Sequence, residues 1–119
     1  MNRQHIGRMG ERATAMYLQK SGYTILNTNL YSRFGEIDII ASKDGITHII
    51  EVKTRTSARY GMASQALSRK KVINMMRTVA ALREGLHICG RVQFDLAAVQ
   101  IDGNTATIQL FQNIGLGDL

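Results

Sequence analysis

The spacing of apolar residues along the chain predicts two helices. Over residues 7–20 the apolar side chains recur at helical intervals, and Ser21-Gly22 supplies a stop. A second apolar stripe at helical spacing runs over residues 63–84 and ends at Gly85. One helix is therefore expected near the start of the chain and a longer one in its middle.

Runs that are rich in isoleucine or that alternate apolar with polar residues predict five strands. The predicted strands cover residues 23–30, 36–41, 46–54, 92–101 and 105–111. Asp44-Gly45, between the second and third strands, is a strong signal for a two-residue hairpin turn. The order helix, three strands, helix, two strands favours an α/β fold with helices packed on a central mixed sheet. The tail after Asn113 is expected to be loose.

The length and composition of the chain are typical of one soluble domain. With 119 residues, of which 45% are hydrophobic and 20% charged, residues 1–119 are expected to form a single domain around one core. The apolar runs are short and residues 1–10 lack the apolar stretch of a signal peptide, so we expect a protein that is neither secreted nor membrane-spanning. The single cysteine, Cys89, cannot form an internal disulfide and is expected to be a buried small hydrophobe. A cytoplasmic location fits best.

The net charge of +6 is unevenly distributed along the chain. Residues 53–91 contain nine Lys or Arg and a single acid, Glu84. Such a run is usually a solvated helix face, and a polyanion partner becomes the better explanation only if acids gather elsewhere for chemistry. An anionic membrane is disfavoured as the partner, because no Trp or Phe lies among these basic residues to anchor them there.

The acids that could carry chemistry lie on the second and third strands. A hairpin turn at Asp44-Gly45 sets Asp38 directly opposite Glu51, with their Cβ atoms only ~5 Å apart, and like charges placed so are destabilising. A Mg²⁺ or Mn²⁺ ion is the best candidate for the positive charge between them, because hard cations prefer carboxylate oxygens. The face of the sheet that carries these acids is expected to contain Glu36, Asp38, Ile40, Ile49, Glu51 and Lys53. The opposite face is expected to contain Ile37, Ile39, Ile50 and Val52.

An exposed sheet face with cross-strand ion pairs is the alternative to a metal site. In that arrangement Glu36 pairs with Lys53, and Asp38 pairs with a nearby arginine. Two isoleucines on the same face, Ile40 and Ile49, place the carboxylates at the edge of a covered surface. This location favours the metal site.

Two short segments resemble a known family of bacterial proteins. Gly35-Glu36-Ile37-Asp38-Ile39-Ile40 and, after the hairpin, Ile50-Glu51-Val52-Lys53-Thr54-Arg55 resemble the signature of the YraN-like proteins, within the PD-(D/E)xK nuclease superfamily. Further matches fall at Gly10-Glu11-Arg12-Ala13, Tyr17-Leu18, Gly22-Tyr23, Asn29, Arg33, Tyr60-Gly61 and Lys71. The sequence departs from the pattern at Tyr31, often arginine in the family, at Gln65, often an acid, and at Ile37, where the superfamily has proline.

The resemblance implies both a fold and a set of residue roles. The fold is the αβββαβ core of restriction-endonuclease-like proteins. Asp38 and Glu51 are implied to be metal ligands, Lys53 the residue that positions or activates water, and Glu11 an auxiliary acid. The Val52 carbonyl is a further candidate ligand of the metal.

Residues and resemblance together predict a Mg²⁺- or Mn²⁺-dependent endonuclease that hydrolyses phosphodiester bonds, with DNA favoured over RNA as the nucleic acid. The alternatives are a nucleic-acid-binding module that does not cut, and an interaction protein whose acids pair with its own bases. A homodimer is left open. The three histidines, His5, His48 and His87, lack the spacing of a metal site. The candidate nucleic-acid contacts are Arg33, Arg55, Arg59, Lys70 and Lys71, with Arg55 and Lys71 favoured.

Overall fold

A computed structural model describes residues 2–56, 68–86, 88 and 90–115 of the chain. The elements in order are α1 (Arg3–Lys20), β1 (Thr24–Ser32), β2 (Gly35–Lys43), β3 (Ile46–Arg55), α2 (Arg69–Leu82), β4 (Arg91–Asp102) and β5 (Thr105–Phe111). This order confirms the predicted α/β fold class. Residues 63–67 of the predicted second helix lie outside the described residues, as do the candidates Arg59 and Cys89.

The five strands form one mixed sheet in the order β1-β2-β3-β4-β5. The neighbouring pairs β1-β2, β2-β3 and β4-β5 are antiparallel, whereas β3 and β4 are parallel. The parallel pair needs a crossover connection, and α2 lies in it. The arrangement matches the predicted αβββαβ core and makes β3 the central strand.

The helix starts are explained by capping side chains. The Asn2 carboxamide oxygen accepts a hydrogen bond from the His5 N–H at 2.8 Å, so α1 begins at Arg3, earlier than the apolar pattern predicts. The Ser68 hydroxyl accepts one from the Lys71 N–H at 3.1 Å at the start of α2.

Among the described residues, no helix has the length and apolar composition needed to span a membrane.

The hairpin between β2 and β3 has the predicted register. Asp44 and Gly45 both have positive φ, 53° and 78°, as a type I′ turn requires. The pairs run from Lys43 with Ile46 to Ile39 with Ile50. The ladder does not continue to Asp38 and Glu51, and this early end determines the shape of the site.

The helices cover opposite faces of the sheet. The core under α1 comprises Leu18, Tyr23, Ile39, Ala41, Ile50 and Ala97. The core under α2 comprises Ile37, Ile40, Ile49, Met75, Val79 and Ile88. The prediction that Ile37 shares a face with Ile39 is therefore wrong. Side chains alternate only along regular pairing, and β2 is no longer paired with β3 before Ile39.

The residues just after β5 are tied to the sheet. The Asn113 N–H donates to an Asp95 carboxylate oxygen at 2.8 Å, and the Ile114 N–H donates to the Phe94 carbonyl at 2.7 Å. The prediction of a loose tail after Asn113 is therefore wrong for Ile114, because its N–H group finds an acceptor on β4. Residues 116–119 lie outside the described residues.

Candidate metal centre

Asp38 lies where β2 separates from β3. Its Oδ2 accepts a hydrogen bond from the Val52 N–H at 2.8 Å, just beyond the last ladder pair of the hairpin. The carboxylate thus takes the place that a backbone carbonyl of β2 would have in a continued ladder. Asp38 is 8% exposed and Glu51 is 3% exposed, so both acids are buried in the gap between the two strands.

Asp38 and Glu51 are two neighbouring buried carboxyl groups. Burial, followed by the hydrogen bond and the charge of Glu51, raises the pKa of Asp38 to about 9. The Val52 N–H acts in the opposite direction. Two buried carboxylates side by side cannot both remain charged at low cost, so the pair requires either a proton or a cation.

Glu11 of α1 and Glu36 of β2 bring further carboxylates to Asp38. One oxygen from each of Glu11, Glu36 and Asp38 lies within 4.8 Å of the other two. The Asn29 amide, oriented with its nitrogen toward the acids, donates to Glu36 Oε1 at 2.9 Å and to Glu11 Oε2 at 3.0 Å. Burial raises the pKa of Glu11, the Asn29 hydrogen bond lowers it, and the charges of Glu36 and Glu51 raise it. The acids therefore crowd one another even with Asn29 between two of them.

The position of Glu11 depends on the close approach of α1 to β3. A Cβ atom built on Gly10 would overlap the Thr54 side chain, so only glycine allows this approach. The Thr14 hydroxyl donates to the Gly10 carbonyl at 2.8 Å, one turn along the same helix. Because Glu11 directly follows Gly10, the contact between helix and strand determines where its carboxylate lies.

Lys71 reaches the same acids from α2. Its Nζ lies 3.0 Å from Glu51 Oε2 and donates to the Glu36 carbonyl at 3.3 Å. The alternation along β3 places Glu51 on the α2 face with Ile49, which explains why a residue of α2 is its partner. Lys71 was predicted as a phosphate contact, and in this structure its ammonium group lies against the acids.

Two clefts reach the acids. The larger has a volume of about 730 Å³ and is lined by Glu11 together with Arg3, Lys53 and Arg55. The smaller has a volume of about 400 Å³ and its lining includes Glu11, Asn29 and Glu36. Glu11 therefore lines both clefts.

The remaining predicted site residues lie around this centre. Lys53 is half-buried and follows Glu51 by one strand period. Arg55 is half-buried, and its Nε has no hydrogen-bond partner among the described residues. Arg33 is exposed, with its guanidinium 4.8 Å from the centre of the Phe34 ring. Lys70 is exposed in the first turn of α2. Val52 contributes its N–H to Asp38, and the roles assigned to all these residues stay predictions.

Two features of the site escaped the sequence reasoning. Glu36 was expected to pair with Lys53, but it is opposite Tyr31 of β1 and joins the acids. Its two-residue spacing from Asp38 was the available signal. Asn29 has a positive φ of 51°, and nothing in the local sequence marks it as the residue that bridges Glu11 and Glu36.

A histidine that the sequence reasoning treated as ordinary belongs to a buried pair away from the acids. His48 Nδ1 lies 2.7 Å from Asp95 Oδ2. Gln93 Nε2 and the Asn113 N–H donate to the other oxygen of Asp95, at 3.0 and 2.8 Å. These contacts satisfy a buried carboxylate and hold the chain after β5 against β4.

Comparison with known proteins matches this chain to a family. The model of "Uncharacterised protein family UPF0102" matches residues 10–99. A UPF0102 protein of Syntrophomonas wolfei is 33% identical over 91% of this chain and 94% of the relative. One of Caldicellulosiruptor bescii is 37% identical over 95% and 98%, and one of Alkaliphilus metalliredigens is 42% identical over 81% and 85%. The solved structure of SPO1766, a Silicibacter pomeroyi protein of unknown function, superposes with a TM-score of 0.42 at 16% identity, covering 89% of this chain and 70% of that one.

Proposed function

This chain belongs to the UPF0102 family, and we propose that it is an endonuclease that uses a divalent metal ion. The ion serves to hydrolyse phosphodiester bonds of nucleic acid, with DNA favoured over RNA as the substrate. The observation that carries the proposal is the gathering of Glu11, Glu36, Asp38 and Glu51 at the point where β2 leaves β3. Asp38 and Glu51 are buried and Glu11 and Glu36 are half-buried, so this concentration of acids is costly for a fold. Perturbed acids of this kind cluster at functional sites.

The donor atoms fit a hard cation. Oxygens that bind one Mg²⁺ at about 2.1 Å lie no more than about 4.2 Å apart, and the oxygens of Glu11, Glu36 and Asp38 are within 4.8 Å of one another, so small shifts suffice. Carboxylates without sulfur or imidazole donors favour Mg²⁺ or Mn²⁺ over softer metals. When bound, such an ion polarises a phosphoryl oxygen and lowers the pKa of water.

The basic residues next to the acids suit the reaction. Lys53, one strand period after Glu51 and lining the larger cleft, would orient the attacking water or offset the charge that develops on the phosphate. Lys71 keeps its ammonium group on Glu51, which holds that carboxylate in place for the ion. Asp38 is held for the same purpose by the Val52 N–H.

A surplus of positive charge supports nucleic acid as the substrate. The first turn of α2 contains no acid, and Arg69, Lys70 and Lys71 lie there, where the helix dipole disfavours cations. Near the same helix, the guanidinium groups of Arg33 and Arg77 lie 4.8 and 6.0 Å from the centre of the Phe34 ring. Lys71 is paired with Glu51, and phosphate groups approaching this side would be attracted by the exposed Lys70 and by Arg33.

The test is a cleavage assay on labelled DNA and RNA of several structures, with Mg²⁺, Mn²⁺ and EDTA arms. Asp38→Asn and Glu51→Gln are expected to reduce single-turnover cleavage at least about 100-fold and to leave nucleic-acid binding intact. Lys53→Ala is expected to stop cleavage but to retain Mn²⁺ affinity. Glu84→Gln, which removes an exposed acid beyond the end of α2, is the matched control and should cleave like wild type.

Equal cleavage by wild type and Glu51→Gln would contradict the catalytic assignment. Wild type that binds the substrates but cuts none of them in Mg²⁺ or Mn²⁺ would instead identify a nucleic-acid-binding module.

A further inference from the structure

Tyr31 is an exposed aromatic residue beside the acids. Its side chain is 71% exposed, the largest value among the exposed large hydrophobic residues of the described chain. The hydroxyl and ring of Tyr31 make no hydrogen bond or ring contact to any of the described residues. The packing of the fold therefore does not account for an aromatic ring at this position.

The position of Tyr31 relative to the acids is determined by the sheet. Tyr31 pairs directly with Glu36 across the β1-β2 ladder, so the two side chains share one face with Cβ atoms ~5 Å apart. Tyr31 also lines the smaller cleft with Glu11 and Glu36. The aromatic ring and two of the clustered acids thus border one cleft of about 400 Å³, within the range of about 300–1,000 Å³ of small-molecule sites.

The same cleft contains a cation. Arg8, an exposed residue of α1, lines it one helical turn before Glu11. A cleft with a positive side chain, an exposed ring and clustered acids has the elements that bind a nucleotide: a contact for phosphate, a surface for a base and donors for a metal.

Building on the proposed function, we infer that Tyr31 is a stacking surface for an unpaired nucleobase next to the phosphodiester held at the acids. In a duplex both faces of a base are covered by its neighbours, so only a base that is unpaired or turned out of the helix can stack on a protein ring. The inference therefore assigns the substrate class: single-stranded nucleic acid, or a structure with single-stranded nucleotides at the cleavage point. Base identity is expected to matter little, because every base has a π-face.

The experiment measures binding in EDTA, so that no cleavage is needed. Single-stranded oligonucleotides carry the fluorescent base 2-aminopurine at successive positions, and stacking on an aromatic ring quenches it. Tyr31→Ala is expected to weaken binding of the single strand about tenfold, to abolish the quenching at one position, and to leave affinity for blunt duplex unchanged. Tyr31→Phe retains the ring and should behave like wild type.

Tyr17→Ala is the matched control. Tyr17 is also an exposed tyrosine, 41% exposed, but it is on α1 and does not line the cleft. The inference would be overturned if Tyr31→Ala lost affinity equally for single strand and duplex, or lost affinity for neither. If wild type quenches the fluorescence of the oligonucleotide but never cleaves it, the stacking surface stands and the endonuclease is rejected. If wild type cleaves single strands and Tyr31→Ala binds and quenches them like wild type, the stacking surface alone is rejected.

Discussion

Asp38 is held by neighbours that favour opposite protonation states. The Val52 N–H stabilises the charged carboxylate, whereas burial and the adjacent Glu51 favour the neutral acid. Without a metal ion the neutral form prevails below about pH 9, because the pKa of Asp38 is raised to about 9. A bound metal cation would favour the charged form of Asp38, since its charge offsets the desolvation cost of several carboxylates at once.

Mn²⁺ affinity is expected to rise with pH, approaching tenfold per unit below about pH 9, because binding displaces one proton from Asp38. Calorimetric titrations in paired buffers of different ionisation enthalpy will count that proton. Glu84→Gln should show the same rise. Affinity that does not change with pH would contradict the protonated state of Asp38.

The metal-free protein should become less stable as pH rises, whereas its affinity for Mn²⁺ increases. The folded-state pKa of Asp38 is raised from 3.8, so the stability contributed by this group is fully present below about pH 3.8 and is lost as pH rises through about 9. Mn²⁺ should therefore raise the melting temperature more at pH 8 than at pH 6. The extra rise should be a few degrees for each ~1 kcal/mol of additional stabilisation by the ion. Thermal unfolding in EDTA and in Mn²⁺ at both pH values measures the difference.

Lys71→Met is expected to destabilise the metal-free protein by about 1–3 kcal/mol, because the buried Glu51 carboxylate loses its cationic partner. Lys70→Met, at the exposed neighbouring position, should stay within about 0.5 kcal/mol of wild type. Urea unfolding with and without Mn²⁺ measures both variants, and Mn²⁺ should recover part of the loss. Equal effects of the two substitutions would show that the contact with Glu51 contributes nothing.

At the level of elements, the site depends on two helices that reach one gap in the sheet from opposite faces. α1 supplies Glu11 on one side, and α2 supplies Lys71 on the other. The gap exists because the pairing of β2 with β3 ends at Ile39 and Ile50, so the residues before Ile39 and after Ile50 are unpaired with each other. Small changes in how either helix packs should therefore change metal binding.

Gly10→Ala is expected to cost about 1–3 kcal/mol, because the added methyl group overlaps Thr54 and forces α1 away from β3. Mn²⁺ affinity should fall as well, since Glu11 moves with the helix. Gly7→Ala is the control: a Cβ there meets nothing within 4 Å, and alanine favours the helix by up to about 1 kcal/mol. Chemical unfolding and Mn²⁺ titration of both variants test the contact, and a Gly10→Ala protein as stable as Gly7→Ala would refute it.

For the whole molecule, the net charge of +6 and the basic segment 53–91 predict binding of nucleic acid that depends strongly on salt. If the protein makes four phosphate contacts to a single strand, raising the salt from 50 to 200 mM should weaken the affinity about 50-fold. Lys70→Met should reduce the slope of log affinity against log salt by about 0.7 if Lys70 is one of these contacts. Fluorescence anisotropy measures the slope. Absent binding at low salt, or binding indifferent to salt, would reject the polyanion partner.

The family and the chain order were accessible from the sequence. The resemblance to YraN-like proteins is confirmed at the level of the UPF0102 family, and the order of helices and strands is confirmed by the structure. Both depend on local patterns, since the motif around Asp38 and Glu51 spans one hairpin. Assignment to the nuclease superfamily, a single domain and a cytoplasmic location stay predictions.

The sequence by itself determined the hairpin register, because Asp44-Gly45 allows one turn geometry and the side chains of a strand alternate. The register implied Glu51 and the resemblance implied Glu11 as partners of Asp38, whereas only the tertiary structure placed Asn29, Glu36 and Lys71 at the same site. Asn29, Glu11 and Lys71 come from other elements, and their positions depend on where β1 lies beside β2 and on which turn of each helix meets the sheet. A periodic pattern states which side of a helix is buried, but not which of its turns lies over the gap. The close approach of Gly10 to Thr54 and the early end of the ladder at Ile39 decide that, and both are contacts between distant parts of the chain.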